Sequence, residues 1–174
     1  MKSKKSQIVG QIFIFILATV VFVLIVMYGY RAISSLMVKG EQASLVKFQN
    51  ELTNAVSSIA LDYGSVKCED FSVPKKYTEF CFVDTAEVVY SPAAANAPNS
   101  PWGKLYAQHP FIADSIKSGS LQNAFLIPPS SLSMALENAR TEETNGFFCI
   151  KVARSAISIK LEGRGAQGVM ISKC

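Results

Sequence analysis

The four cysteines are the residues of this chain whose type and number could do chemistry: Cys68, Cys81, Cys149 and Cys174. An even number of cysteines in one modest domain is typical of disulfide bonds formed in an oxidising compartment. Zinc binding is disfavoured, because there is no Cys-x-x-Cys pair and the single histidine is His109. Four free thiols would instead require the domain that carries the cysteines to lie on the reducing, cytoplasmic side of a membrane. The cysteines therefore predict two disulfide bonds and no metal or other cofactor.

Two disulfide pairings remain open from the sequence. In one, the segments around Cys68 and Cys81 form a hairpin that places these two residues opposite each other. Cys149 would then pair with Cys174. In a plain three-strand meander, however, those two lie two strands apart, roughly 10 Å, whereas bonded cysteines need Cα atoms within about 7 Å. The other pairing joins Cys81 with Cys149, both in apolar strands, and leaves Cys68 for Cys174; this second pairing is favoured.

Other patterns that resemble catalytic motifs have a plainer interpretation. The glycine-rich GRGAQG at 163–168 lacks the lysine-serine or lysine-threonine pair of a phosphate-binding loop and is interpreted as a hairpin turn. His109 precedes a proline at a predicted helix start and is interpreted as a cap or surface residue. Glu142 and Glu143 lie in a polar connection. No nucleophile, base and orienting group stand out together, so the chain is predicted not to be an enzyme.

Two aromatic residues near a proline- and alanine-rich segment, 91–103, are candidates for partner contact. Trp102 and Tyr106 would anchor a binding surface, since aromatic side chains contribute much of the binding energy at interfaces. The alternative is that the segment packs as a lid on the core of the domain. The lid interpretation is favoured.

An apolar segment at 7–30 determines the compartment in which these residues lie. It contains no charged residue, and Lys5 and Arg31 flank it. About 20 apolar residues in a helix span a bilayer, whereas a cleaved secretory signal has an apolar core of about 7–15 residues. The segment is therefore predicted to be a transmembrane helix, and the lipid bilayer is the first predicted partner.

The charge distribution predicts an orientation and excludes one class of partner. Lys2, Lys4 and Lys5 precede the span, and basic residues beside a span stay in the cytoplasm. Localisation is thus predicted as a single-pass cell-membrane protein with a cytoplasmic N-terminus and an extracellular C-terminal domain. Beyond the leader, fourteen of the seventeen basic residues remain against thirteen acidic ones. This near-neutral balance argues against nucleic-acid binding, which needs a basic face.

A second helical pattern follows the span. Apolar residues recur at spacings of three or four from Leu45 to Ile59, with polar residues between them, as in an amphipathic helix. Gly64 follows where a left-handed residue would end that helix. The domains are therefore predicted as a leader at 1–6, the span at 7–30, an amphipathic helix at 31–63 that continues the anchor, and a β-rich head at 64–174.

The head is predicted from short apolar runs and turn residues to be a small antiparallel sheet with two short helices, so the fold class is α+β. The predicted strands are 65–73, 77–83, 86–90, 121–127, 147–153, 156–163 and 168–174, and the predicted helices are 109–119 and 128–140.

The first third of the chain resembles a known family. A short basic leader (MKSKKS), then Gln7 and Ile8 at the start of an uninterrupted apolar helix that runs into an amphipathic one, resembles archaeal type IV pilin-like proteins with class III signal peptides. In that family a long N-terminal helix carries a small β-rich head. The resemblance implies cleavage by a prepilin peptidase between Ser6 and Gln7, or alternatively after Gly10. It also implies a structural subunit of a cell-envelope filament, with other copies of itself or other envelope proteins as partners.

A second function stays open beside the filament subunit. The chain would then be a bitopic membrane protein, monomeric or a small oligomer, whose outer domain binds a protein partner or a ligand. Trp102 and Tyr106 would be the contact residues in that case. The two functions differ in processing, because only the pilin-like subunit is expected to lose residues 1–6.

Overall fold

The computed structural model of the chain describes residues 4–95 and 97–174, and it describes side chains from residue 13 onward except at 38 and 96. The chain divides into two compact units, Met1–Ala43 and Ser44–Cys174. The helices are α1 (Lys4–Ala60), α2 (Pro92–Ala95), α3 (Pro101–Gln108) and α4 (Pro110–Lys117), and the strands are β1 (Val66–Ser72), β2 (Glu79–Val83), β3 (Ala124–Ile127), β4 (Ala139–Thr141), β5 (Phe147–Lys151), β6 (Ala156–Gly163) and β7 (Val169–Lys173).

The first unit contains the apolar part of α1. From Phe13 onward, α1 is the one helix among the described residues that is long and apolar enough to cross a membrane. Its most apolar 18-residue window has a mean hydropathy of 2.6, and none of that window is buried. Thr19, a polar side chain in this stretch, donates a hydrogen bond to the Phe15 carbonyl within the helix at 2.8 Å. The hydroxyl is therefore satisfied without water.

The second unit begins with the amphipathic part of α1. The predicted apolar stripe is buried in the core of this unit: Leu45, Phe48, Leu52, Val56 and Ile59. The helix ends at Ala60, so the predicted end at 63 is wrong. Gly64 has the positive φ expected of a left-handed residue, but it lies in the turn after the helix. Its N–H donates to the Gly163 carbonyl at 2.8 Å, which connects this turn to β6.

The head contains two sheets, so a single antiparallel sheet is wrong although the α+β class agrees with the structure. One sheet has the strand order β1-β6-β7-β4, and the other has the order β3-β2-β5. The β4–β7 pair is parallel, which makes the first sheet mixed. The three-strand meander considered for the last three strands is also not formed, because β5 lies in the second sheet whereas β6 and β7 pair in the first.

The predicted hairpin between 65–73 and 77–83 is wrong. β1 pairs with β6, whereas β2 pairs with β3 and β5. Around the turn at Pro74, the Val73 N–H donates to the Ser155 carbonyl and the Thr78 N–H to the Ile127 carbonyl. The two sides of the turn are therefore hydrogen-bonded to different sheets, and they cannot pair with each other.

Three further predicted segments differ from the structure. The predicted strand 86–90 begins in a turn in which the Asp84 carbonyl accepts from two following N–H groups. The predicted helix 128–140 is absent from the described residues, since its backbone bridges to Ala124 instead. The predicted loop 91–103 contains α2 and the start of α3, which Ser100 caps by accepting from the Gly103 N–H at 2.9 Å. The predicted helix 109–119, by contrast, is present as α4.

Asn123 fixes the segment that replaces the predicted helix. Its side chain donates to the Leu136 carbonyl and accepts from the Leu136 N–H, both at 2.8 Å, and it is buried. We expect Asn123→Ala to lower the free energy of unfolding by about 2 kcal/mol, because a buried donor and acceptor lose their partners. Denaturant titration followed by fluorescence of the single tryptophan measures this. Asn54→Ala, an exposed change on α1, is the control and should stay within about 0.5 kcal/mol; equal effects would contradict the prediction.

Candidate functional site

β2 separates two clusters of buried side chains and so positions the candidate site. Side chains alternate between the two faces of a strand. Phe80 and Phe82 point into the cluster that contains the α1 stripe. Cys81 and Val83 point into a second cluster beneath α3 and α4. The chemistry of the head is concentrated on this second face.

The structure contains the disulfides Cys81–Cys149 and Cys68–Cys174, the pairing that the sequence analysis favoured. Cys81 and Cys149 are directly opposite each other on β2 and β5, with their Cα atoms 4.1 Å apart. The alternative bond between Cys68 and Cys81 is not formed, because these residues lie in different sheets. No free cysteine remains.

Cys68–Cys174 joins two strands that are not neighbours. β1 and β7 both flank β6, yet the two Cα atoms are 6.1 Å apart. Cys174 lies beyond the last residue of β7, so its position is not set by the spacing of strands within the sheet. A separation of two strands therefore prevents a disulfide bond only between cysteines that both lie within the strands.

His109 lies beside the Cys81–Cys149 disulfide. It is the C-cap residue of α3 and the N-cap residue of α4, so the cap interpretation agrees with the structure, although the residue is half-buried and does not lie on the open surface. Its Nε2 is 3.2 Å from Cys149 Sγ and 4.0 Å from Cys81 Sγ. The ring is half-buried, and its side chain makes no capping hydrogen bond. His109 is the residue between α3 and α4, and its backbone is held on both sides: its N–H donates to the Leu105 carbonyl, and its carbonyl accepts from the Ile112 N–H.

Glu79 completes a group of four potential metal ligands. It lies two residues before Cys81 on β2, and therefore on the same face of the strand. One ligand atom from each of Glu79, Cys81, His109 and Cys149 lies within 4.8 Å of all the others. Among the described residues this is the one such group of histidine, cysteine and acidic side chains. The residue types are those that bind zinc, although both sulfurs are held here in the disulfide.

A cleft of about 280 Å³ opens at this group. Glu79, His109 and Cys149 line it, together with Glu143 and Lys173 from other parts of the head. Cys149 is partly exposed, whereas Cys81 is fully buried. The disulfide therefore borders the cleft on the side of Cys149.

The two predicted contact aromatics have different environments. Trp102 is only 5 % exposed and packs in the second core cluster, as the lid interpretation predicts. Tyr106 is 47 % exposed and stacks on the Trp102 ring at 5.1 Å between centroids. Tyr90 meets the same indole edge-on, and Lys117 Nζ lies 5.0 Å from the Tyr90 ring centroid. Only Tyr106 of the predicted pair offers substantial surface to a partner.

A larger cleft of about 630 Å³ lies near the turn between β6 and β7. The glycine-rich 163–168 segment forms that turn, as predicted, and Arg164 lines the cleft while forming ion pairs with Glu142 and Glu162. Asp84 also lines it; this carboxyl group is buried, and its Oδ2 has no hydrogen-bond partner among the described residues. The sequence did not single out Asp84, because nothing local distinguishes an acidic residue that becomes buried.

The predicted processing residues lie near the start of α1. Ser6 and Gln7 lie within the backbone bounds of α1, but their side chains fall outside the described ones. Cleavage between them stays a prediction, as does cleavage after Gly10.

Comparison with known proteins provides no relative from which a function could be transferred: no family model, no curated protein and no solved structure matches this chain.

Proposed function

We propose that this chain is a membrane-anchored structural protein outside the cytoplasm, a pilin-like subunit of a cell-envelope filament without catalytic activity. The observation that carries the proposal is α1 itself. Every residue of its apolar stretch from Phe13 to Tyr30 is exposed, whereas its apolar residues spaced from Leu45 to Ile59 form the buried stripe of a disulfide-bonded head.

The exposed apolar stretch supports the membrane anchor. Leaving a large apolar side chain in water costs about 1.5–3 kcal/mol relative to burying it, and this stretch contains many of them. Water-soluble monomers rarely expose a continuous apolar surface of this extent. Lipid is the solvent in which such a helix is stable, since its backbone hydrogen bonds are internal.

The disulfides and the basic leader support the orientation. Both disulfides lie in the head, and disulfides persist in oxidising compartments. Lys2, Lys4 and Lys5 lie on the other side of the apolar stretch, as expected for its cytoplasmic end. Protease added to intact cells should therefore degrade the head and leave the membrane-embedded apolar segment protected. A head that becomes accessible only after lysis would contradict this orientation.

Filament assembly follows from the same helix. Apolar helices that leave the lipid together would be stabilised by packing against copies of themselves, with the heads outside. The test is to isolate surface filaments from cells that make this chain and to measure the mass of its N-terminal peptide. We expect the chain in the filament fraction, starting at Gln7. An intact N-terminus confined to the membrane fraction would contradict the proposal.

A matched pair of leader variants tests the cleavage position. A prepilin-type cut needs a small residue before the bond, so Ser6→Trp should leave the chain unprocessed and absent from filaments. Ser3→Trp introduces the same bulk farther from the bond and should be processed normally. If both variants are cleaved alike, the position between Ser6 and Gln7 is wrong; a chain that starts at Gln11 would identify cleavage after Gly10 instead.

The alternative, an outer domain that binds a protein partner, has one observation in its favour. Tyr106 presents an exposed ring supported by the buried Trp102 indole, which is a rigid aromatic contact surface. In that case Tyr106→Ser should abolish a cross-linked product with a second protein in native membranes. Leu121→Ser, at another highly exposed apolar residue, should leave the product unchanged. If neither change affects cross-linking, binding of a protein partner through Tyr106 is excluded.

A further inference from the structure

We infer that a dithiol can open the Cys81–Cys149 disulfide and that the two thiols then form, with His109 and Glu79, a binding site for one zinc ion. The inference does not depend on the filament function. It is carried by the ligand group, by the access to Cys149 and by the position of His109.

The backbone already holds the four side chains in place. Glu79 and Cys81 share one face of the central strand β2, and Cys149 is the direct cross-strand neighbour of Cys81. Two backbone hydrogen bonds fix His109 at the junction of α3 and α4. Because strand register and a helix junction set these positions, the group remains assembled when the sulfur–sulfur bond breaks.

The cleft allows the exchange to begin at Cys149. A dithiol's first thiolate attacks Cys149 Sγ, which forms a mixed disulfide and releases Cys81 as a thiolate. The second thiol of the reagent then attacks the reagent's first sulfur in the mixed disulfide and breaks its bond to Cys149 Sγ, which releases Cys149 as a thiolate and leaves the reagent as a cyclic disulfide. Overall, two electrons and two protons pass from the dithiol to the protein. The His109 ring lies within 4.0 Å of both sulfurs and can exchange these protons.

The geometry suits zinc once the bond is open. Zinc takes four ligands in a tetrahedron, with bonds of about 2.0–2.3 Å, so ligand atoms lie about 3–4 Å apart. The four ligand atoms here already lie within 4.8 Å of one another. Small side-chain rotations are sufficient to form the tetrahedron. They separate the two sulfurs and bring Glu79 and His109 inward. Two thiolates and one carboxylate also supply three negative charges, two of which the divalent cation compensates.

The second disulfide provides an internal comparison. Cys68 and Cys174 are both exposed, and no histidine or acidic group joins them within ligand distance among the described residues. Reduction of Cys68–Cys174 should therefore produce thiols without a metal site. The two disulfides differ in their neighbours, so metal binding can be assigned to one of them.

The test is cobalt binding to the full-length chain in detergent. The chain is reduced with dithiothreitol, freed of reductant under inert gas and titrated with Co²⁺ alone. Alkylation and mass analysis show which cysteines were reduced, and Trp102 fluorescence shows whether the head is folded. We expect one Co²⁺ per chain, a thiolate-to-cobalt charge-transfer band, and loss of that band when Zn²⁺ is added. The oxidised chain should show no band.

Cysteine variants assign the sulfurs. The double variant C81S/C149S should lose the band, whereas C68S/C174S should keep it at full intensity. The inference is overturned if the reduced wild-type chain binds no cobalt, whether it is folded or not. It is also overturned if Cys81–Cys149 resists the dithiol in the folded chain, or if C81S/C149S binds as the wild type does.

Two further variants test the other ligands. His109→Ala and Glu79→Gln should each weaken cobalt binding at least about tenfold, since each removes a ligand. Glu143→Gln is the matched control, because Glu143 lines the same cleft but is not one of the four. Equal affinity of Glu79→Gln and Glu143→Gln would exclude the carboxylate from the site. Unchanged affinity in His109→Ala would overturn the four-ligand arrangement.

Discussion

Phe48→Ala is expected to lower the free energy of unfolding by about 4 kcal/mol. Phe48 is fully buried, and its ring makes edge-on contacts with Phe71 and Phe80 at 6.4 and 6.0 Å between centroids. Truncation of a buried phenylalanine costs about 3–5 kcal/mol, because the transfer energy is lost and a cavity remains. Edge-on aromatic pairs add about 0.5–1.5 kcal/mol each. Since domains are stable by only about 5–15 kcal/mol, this change brings the head close to unfolding.

Denaturant titration of the full chain in detergent, followed by Trp102 fluorescence, measures this loss. Phe111→Ala is the matched control, since Phe111 is 57 % exposed on α4 and should change stability by no more than about 0.5 kcal/mol. If the two variants unfold at the same denaturant concentration, the α1 stripe does not contribute to the core as described.

The double variant C68S/C174S is expected to lower the free energy of unfolding by about 4 kcal/mol. The bond joins residues separated by 106 positions, but the intact Cys81–Cys149 bond lies within this loop and spans 68 of them. Cys68–Cys174 therefore closes an effective loop of about 40 residues, which restricts the unfolded chain by about 4 kcal/mol. Both cysteines are exposed, so the change removes little packing. The effect is therefore expected to arise from the unfolded chain more than from lost contacts.

The control for the disulfide is the same comparison after reduction. With a dithiol present at concentrations that open both bonds, wild type and C68S/C174S should unfold at nearly the same denaturant concentration, because neither contains the crosslink. A stability difference that persists in the reduced proteins would show that the serines themselves cause the loss. No difference between the oxidised proteins would contradict the prediction outright.

Local patterns predicted α1 and α4 well, but they missed α2 and α3 and predicted a helix at 128–140 that is absent from the described residues. The apolar segment, the stripe from Leu45 to Ile59 and the short helix at α4 all depend on periodicity or on caps within a few residues. The boundary of the head was harder to predict from the sequence, because the last part of α1 packs within the head. The stripe is buried in the head core, so the second unit begins at Ser44 and not at 64.

Strand pairing could not be predicted to the same degree. The runs around Cys68 and Cys81 are neighbours in the sequence and are joined by a short turn at Pro74, so a hairpin was the simplest interpretation. The structure instead pairs β1 with β6, a strand far away in sequence. The partner of a strand depends on how all strands and helices together bury their apolar faces. Patterns of neighbouring residues do not specify this joint arrangement.

The sequence by itself determined that this chain has one long apolar helix, an amphipathic continuation and an even set of cysteines, because length, composition and periodicity are properties of neighbouring residues. Only the tertiary structure decided what surrounds the sulfurs. His109 lies 28 residues from Cys81 and 40 from Cys149, and it reaches both because a helix junction packs over a sheet formed from distant strands. Such proximity is a product of packing, so it becomes visible only when the chain is folded.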